Sequence, residues 1–175
     1  MINISRVASR FGLGLALVVT GAASPGRVST VSAQAPNACA LLTVDEVGQV
    51  ANASVAEGVS SALEPAGSVT CRYTWGNGVS RFKLDVTVNE ASRMFPGTSP
   101  DQIKQRILES VRAGTDDAVI SEIGEAAVFI PQSPVYASAT ALVKGRILRV
   151  HLDGIYAIEK KDPVVGLLKL AASRL

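Results

Sequence analysis

The chain has 175 residues, 47% of them hydrophobic and 18% charged, with a formal net charge of +2. That length suits one ordinary domain. The small positive charge belongs to the N-terminal leader described next, so the body of the chain has no overall pull toward nucleic acid or an anionic membrane.

Residues 1–33 have the pattern of a cleaved signal peptide. Arg6 and Arg10 form a basic start, Phe11 to Val19 a short apolar core, and Val31-Ser32-Ala33 places small side chains at the positions signal peptidase reads. A cut after Ala35 also fits, but it leaves Pro36 as the first mature residue. The apolar run falls short of the roughly 20 residues needed to span a bilayer. Cleavage after Ala33 leaves 142 of the 175 residues and removes Arg6, Arg10 and Arg27 from the 17 basic side chains, so 14 face 15 acidic ones. Residues 34–38 read as a short linker and 39–175 as a single domain.

Both cysteines, Cys39 and Cys71, lie in the mature part. An even pair in an oxidising compartment reads as a disulfide, against the alternative of two separate buried thiols. Two cysteines and a distant histidine do not make a zinc spacing, so no metal or other cofactor is expected.

Thr43 followed by Glu46 predicts a capping box that opens a helix, with Val47, Val50 and Ala51 on its apolar side and Val55 extending that side if the helix runs so far. Glu57 to Ser68, rich in Ser, Gly and Ala, reads as a loop. Val69, Cys71, Tyr73 and Trp75 then alternate with polar residues, as do Phe82, Leu84, Val86 and Val88 beyond Asn77-Gly78. A two-residue turn at Asn77-Gly78 pairs Tyr73 with Phe82, Cys71 with Leu84, and Arg72 with Lys83. Ser99-Pro100-Asp101-Gln102 opens a second helix, with Ile103, Ile107, Leu108 and Val111 inward, Arg112 at its end and Gly114 as its stop.

Asp116 to Gly124 reads as a connector with some strand character, and Ala127 to Ile130 as a short strand broken by Pro131 and Pro134. A second hairpin turns at Lys144-Gly145 and sets Ala137, Ala139 and Ala141 opposite Leu152, Val150 and Leu148. Asp162 caps a closing helix begun by Pro163, with Val165, Leu168, Ala172 and Leu175 inward. The order predicts an α+β fold: an antiparallel sheet of two hairpins with helices on one face. The order resembles a duplicated helix–hairpin unit, although the residue-level similarity between the halves is too weak to claim a repeat.

Nucleophilic catalysis has no motif here: there is no G-x-S-x-G, no phosphate loop and no dinucleotide fingerprint. No catalytic residue is assigned. The hairpin faces that point away from the core carry Arg72, Arg81, Lys83, Tyr136, Thr140, Arg149 and His151, donors suited to an anionic ligand. The competing reading is an ordinary solvated sheet face, with Asp85 and Asp153 screening the charge. A hydrolase built on His151 is a third class, needing a serine or aspartate from elsewhere in the chain.

Cys39-Ala40-Leu41-Leu42-Thr43 with Glu46-Val47, then Cys71-Arg72-Tyr73, resembles a broad group of small exported bacterial domains. In that group a C-x-L-L-T-x-x-E-V helix start is joined by a disulfide to a C-x-Y or C-x-W strand. Ile123 to Phe129 is similar to the group's G-D-E-A-x-F segment, with Glu125-Ala126 standing where the group has Asp-Glu. Many members are lipoproteins, whereas this leader has no lipobox. The resemblance implies export and a disulfide; it carries over no activity and no catalytic residue. The expectation is a non-catalytic binding or accessory module of the cell envelope, its partner an envelope protein or a small anionic ligand.

Overall fold

The computed structural model describes residues 37–175 apart from 65–66, 78–79 and 155–156. The expected signal peptide, residues 1–33, and most of the expected linker, residues 34–38, therefore lie outside the described residues. Thr43 opens helix α1 (Val44–Ala51) through the expected capping box: its hydroxyl accepts from the Glu46 N–H, and the Glu46 carboxylate accepts from the Thr43 N–H at 2.8 Å. The helix stops at Asn52, which takes the left-handed conformation at φ 49°. Val55 is thus outside the helix, yet it is buried in the core.

The next segment departs from the expected loop. Val59–Leu63 forms strand β1, paired antiparallel with β2 (Ser68–Asn77). All five of its residues are exposed, so backbone pairing rather than burial orders it, and no apolar alternation announces it. Strand β2 pairs with β3 (Ser80–Glu90), closing at Asn77 and Ser80 instead of around Asn77-Gly78. That shift moves every partner by two residues: Tyr73 faces Leu84, Cys71 faces Val86, and Arg72 faces Asp85 rather than Lys83. A two-residue shift preserves the face each side chain occupies, so the hydrophobic pattern is equally satisfied in both registers.

Two helices follow, α2 (Ala91–Met94) and α3 (Pro100–Glu109). Ser99 and Gln102 form the second capping box, and Pro100 takes the first turn. Arg112 pairs with Asp117 at 3.0 Å beyond the helix, which ends at Glu109. Strand β4 is only Ala118–Val119. Strand β5 (Ala126–Ser133) runs through Pro131, with an irregular register between Pro131 and Ser133 absorbing the missing N–H. Strands β6 (Tyr136–Val143) and β7 (Arg146–Asp153) pair in the predicted register. Helix α4 (Lys161–Ser173) starts two residues earlier than expected, so Asp162 and Pro163 sit inside its first turn rather than marking its cap.

All seven strands join one antiparallel sheet in the order β1-β2-β3-β7-β6-β5-β4, the two hairpins meeting at β3 and β7. This is the expected α+β architecture. One face carries Cys71, Tyr73, Leu84, Val86, Leu148 and Val150 against α1 and α4. Ala137, Ala139 and Ala141 of β6 let α4 approach the sheet, burying Val164, Leu167, Leu168 and Ala171. Helix α3 instead packs on the opposite face, where Ile103 and Ile107 meet Ala126, Val128, Leu142 and Ile147. Three strands lie on one side of the β3–β7 junction and four on the other, and α1 and α3 lie on different faces, unlike the two copies of a duplicated unit.

Cys39 and Cys71 form the predicted disulfide. Tyr73, 1% exposed, donates its hydroxyl to the Leu42 carbonyl at 2.5 Å. Gly58 passes so close that a Cβ there would stand 2.5 Å from the Cys71 sulfur. At the other end of the chain, Arg174 holds the Glu46 carboxylate with two bonds of 2.6 and 2.8 Å and reaches the Leu41 carbonyl. The C-terminal helix is thereby clasped to the N-terminal one.

Candidate functional site

Side chains alternate across a strand, so the ladder pairings decide what shares a face. Arg72, Arg81, Lys83, Tyr136, Thr140, Arg149 and His151 all fall on the face opposite α1 and α4. Helix α3 covers one end of this face and its apolar residues; the polar end, over β2, β3 and β7, is left open by α3.

Three cross-strand rows organise it. In the first, Thr70, Thr87, Arg149 and Thr140 follow one another across β2, β3, β7 and β6. The Thr70 and Thr87 hydroxyls are 3.0 Å apart, and Arg149 donates from Nε to the Thr140 hydroxyl at 3.3 Å. In the second row, Arg72, Asp85, His151 and Ser138 are neighbours. Arg72 grips Asp85 with paired bonds of 2.7 and 2.8 Å. In the third, Thr74, Lys83, Asp153 and Tyr136 line up, with Lys83 3.0 Å from Asp153.

The shifted register therefore changes the electrostatics. The expected clash of Arg72 with Lys83 is replaced by two opposite-charge pairs, which removes the repulsion and neutralises both cations. Arg149 differs. It is exposed near the middle of the sheet, between Thr87 and Thr140, and among the described residues no carboxylate lies within ion-pair distance of it. His151 is half-buried, with its ring stacked on Tyr136 at 6.1 Å between centroids. Burial pushes its pKa below the ordinary value; Asp85 and Asp153 pull it up, while Lys83 and Arg149 push it further down. The imidazole is consequently neutral at neutral pH and can accept or donate a hydrogen bond without adding charge.

The second row sets Asp85, His151 and Ser138 on adjacent strands, the residue types of a nucleophilic triad. Among the described residues no hydrogen bond joins them. Asp85 is committed to Arg72, and Ser138 is only 4% exposed. A nucleophile needs a base within hydrogen-bond reach and room for substrate, and this row has neither.

A cleft of about 360 Å³ lies beside the start of α3, lined by Ala91, Thr98, Ile103, Lys104, Glu125 and Leu142 among others. Sequence reasoning missed it because its walls come from three separate stretches of chain. Glu125 is occupied there, accepting from the Lys144 N–H at 3.0 Å, and Gly124 adopts φ 58° where any Cβ would overlap the Leu142 carbonyl. The Gly124-Glu125 pair thus clamps the β6–β7 turn, a structural duty. Lys104 shares the cleft with Asp101 and Glu125, so this concavity is poorer for an anion than the sheet face.

Trp75 is half-buried against Phe82, at the rim of the core. Among the described residues no group of His, Cys, Asp and Glu is placed to hold a metal ion, and no helix is long and apolar enough to cross a membrane. Compared with known proteins, the chain matches no family model, no curated protein and no solved structure.

Proposed function

We propose that this protein is an exported, non-catalytic binding module of the bacterial envelope, and that it holds a small anionic ligand on the open polar face of its sheet. Arg149 carries the reading: a guanidinium fixed between two threonines, without a carboxylate partner among the described residues. Planar forked donors flanked by hydroxyls suit a carboxylate or phosphate group. The neutral His151 and the Tyr136 ring beside it supply a flat, partly apolar wall for the remainder of such a ligand. Export is supported by the leader pattern of residues 1–33, by the resemblance of the Cys39 and Cys71 segments, and by the disulfide itself.

The test is native mass spectrometry of the mature protein recovered gently from a bacterial envelope. A discrete added mass that disappears in Arg149→Gln supports the reading. The bare mass of the disulfide-bonded chain, in wild type and variant alike, removes the carrier role and leaves a protein partner to be sought by cross-linking.

A further inference from the structure

Strand β1 is an unguarded edge. Among the described residues it pairs only with β2, leaving one row of backbone N–H and C=O groups without a strand beside it. Edge strands are normally protected by lysine, proline, a bulge or extreme shortness. The opposite edge follows that rule, since β4 is just Ala118–Val119. Gly58 to Leu63, by contrast, contains no charge, no proline and no bulge. Val59 and Leu63 are also the most exposed large hydrophobic side chains described, at 68% and 65%.

We infer that β1 pairs antiparallel with β1 of a second copy of this chain, about a twofold axis through Ser61. The sequence is self-complementary in that register alone. Val59 of each copy stands opposite Leu63 of the other, so both exposed apolar residues are covered twice over, while Ser60 meets Ala62, small against small. Val59, Ser61 and Leu63 share the face that bears Arg72, and an axis normal to the sheet keeps that face on one side in both copies. The like-charged Glu57 and Glu64 lie outside the paired segment. An isologous contact of this kind closes on itself, so it yields a dimer rather than a fibre. Backbone hydrogen bonds supply the attraction and the Val59–Leu63 pairs set the register.

The experiment uses the full mature chain. Sedimentation velocity across the micromolar range reads the mass, for wild type and for Val59→Lys/Leu63→Lys, both of whose sites are exposed. Ser61→Cys and Ser60→Cys are oxidised in parallel. The inference expects mass to double with concentration in wild type and to stay monomeric in the double lysine variant, whose circular dichroism matches wild type. It also expects Ser61→Cys to cross-link to a dimer and Ser60→Cys to fail, since two cysteines each one residue off the axis stand two positions out of register with each other and exceed the roughly 7 Å Cα limit for a disulfide. A wild type that stays monomeric throughout overturns the inference. So does cross-linking that is equal at both positions.

Discussion

Removing the disulfide should cost more than any single side-chain contact in the domain. Cys39 and Cys71 are 32 residues apart in sequence. For a loop of that length, the loop-closure relation gives about 3.7 kcal/mol at 25 °C, lost when the cross-link is replaced by Cys39→Ala/Cys71→Ala. Against a typical domain stability of roughly 5–15 kcal/mol, that is a quarter or more of the total. Urea unfolding followed by circular dichroism measures it directly. The free energy should fall by about 3–4 kcal/mol, and the slope should rise because the unfolded chain, freed of its cross-link, exposes more surface. Thermal melting should fall by about 10 °C. Reducing wild type should reproduce the loss. A drop below about 1 kcal/mol with an unchanged slope would refute the reasoning, because it would mean the cross-link does not constrain the unfolded chain.

Other outcomes follow from single contacts. Tyr73→Phe leaves the Leu42 carbonyl without its buried donor and should cost about 1–3 kcal/mol in the same assay, with the disulfide intact. Gly124→Ala places a Cβ against the Leu142 carbonyl at a positive φ, and should destabilise by more than about 2 kcal/mol. Arg174, with help from the Thr43 N–H, lowers the Glu46 pKa to about 2. The stability this contributes is complete above the ordinary carboxylate pKa near 4.5 and disappears as pH falls toward 2. Glu46→Gln should flatten that acid limb and cost about 1–2 kcal/mol at neutral pH, after allowance for solvent screening of a partly exposed pair. For His151, the imidazole titration followed by NMR should have its midpoint below the ordinary value of 6.5, and Asp85→Asn should move it lower still. Because folding depresses this pKa, the His151 contribution leaves stability unaffected above 6.5 and subtracts from it as pH falls toward the folded value.

Much of this architecture was legible in the sequence where local chemistry and burial pattern agree. The Thr43–Glu46 and Ser99–Gln102 boxes, the alanine stripe of β6 and the Lys144-Gly145 turn each combine a local signal with a matching apolar face. Strand β1 was illegible because nothing on it is buried; its partner β2 orders it through the backbone alone. The β2–β3 register differs from the expected one because a turn at Asn77-Gly78 and the closure at Asn77 and Ser80 bury the same residues, so hydrophobicity is blind to the difference. Charge is not blind to it. Opposing Arg72 to Asp85 and leaving Lys83 to Asp153 is the arrangement that pairs opposite signs, and that criterion applied to the sequence selects the observed register. Helix α3 carries the usual inward stripe, but a stripe does not say which face of the sheet it meets. Its place on the second face covers the apolar end over β5 and β6 and leaves the polar end over β2, β3 and β7 open.

The central claim is anion binding at Arg149, and a direct NMR titration of residues 34–175 tests it. Inorganic phosphate and succinate serve as probes, with the Arg149 Nε–H and the His151 ring protons as reporters. Saturable shifts at both reporters, lost at His151 in Arg149→Gln while the fold is retained, are the predicted result. Reporters that do not move with either anion, or that move equally in the variant at His151, would contradict the claim and return this face to ordinary solvated surface.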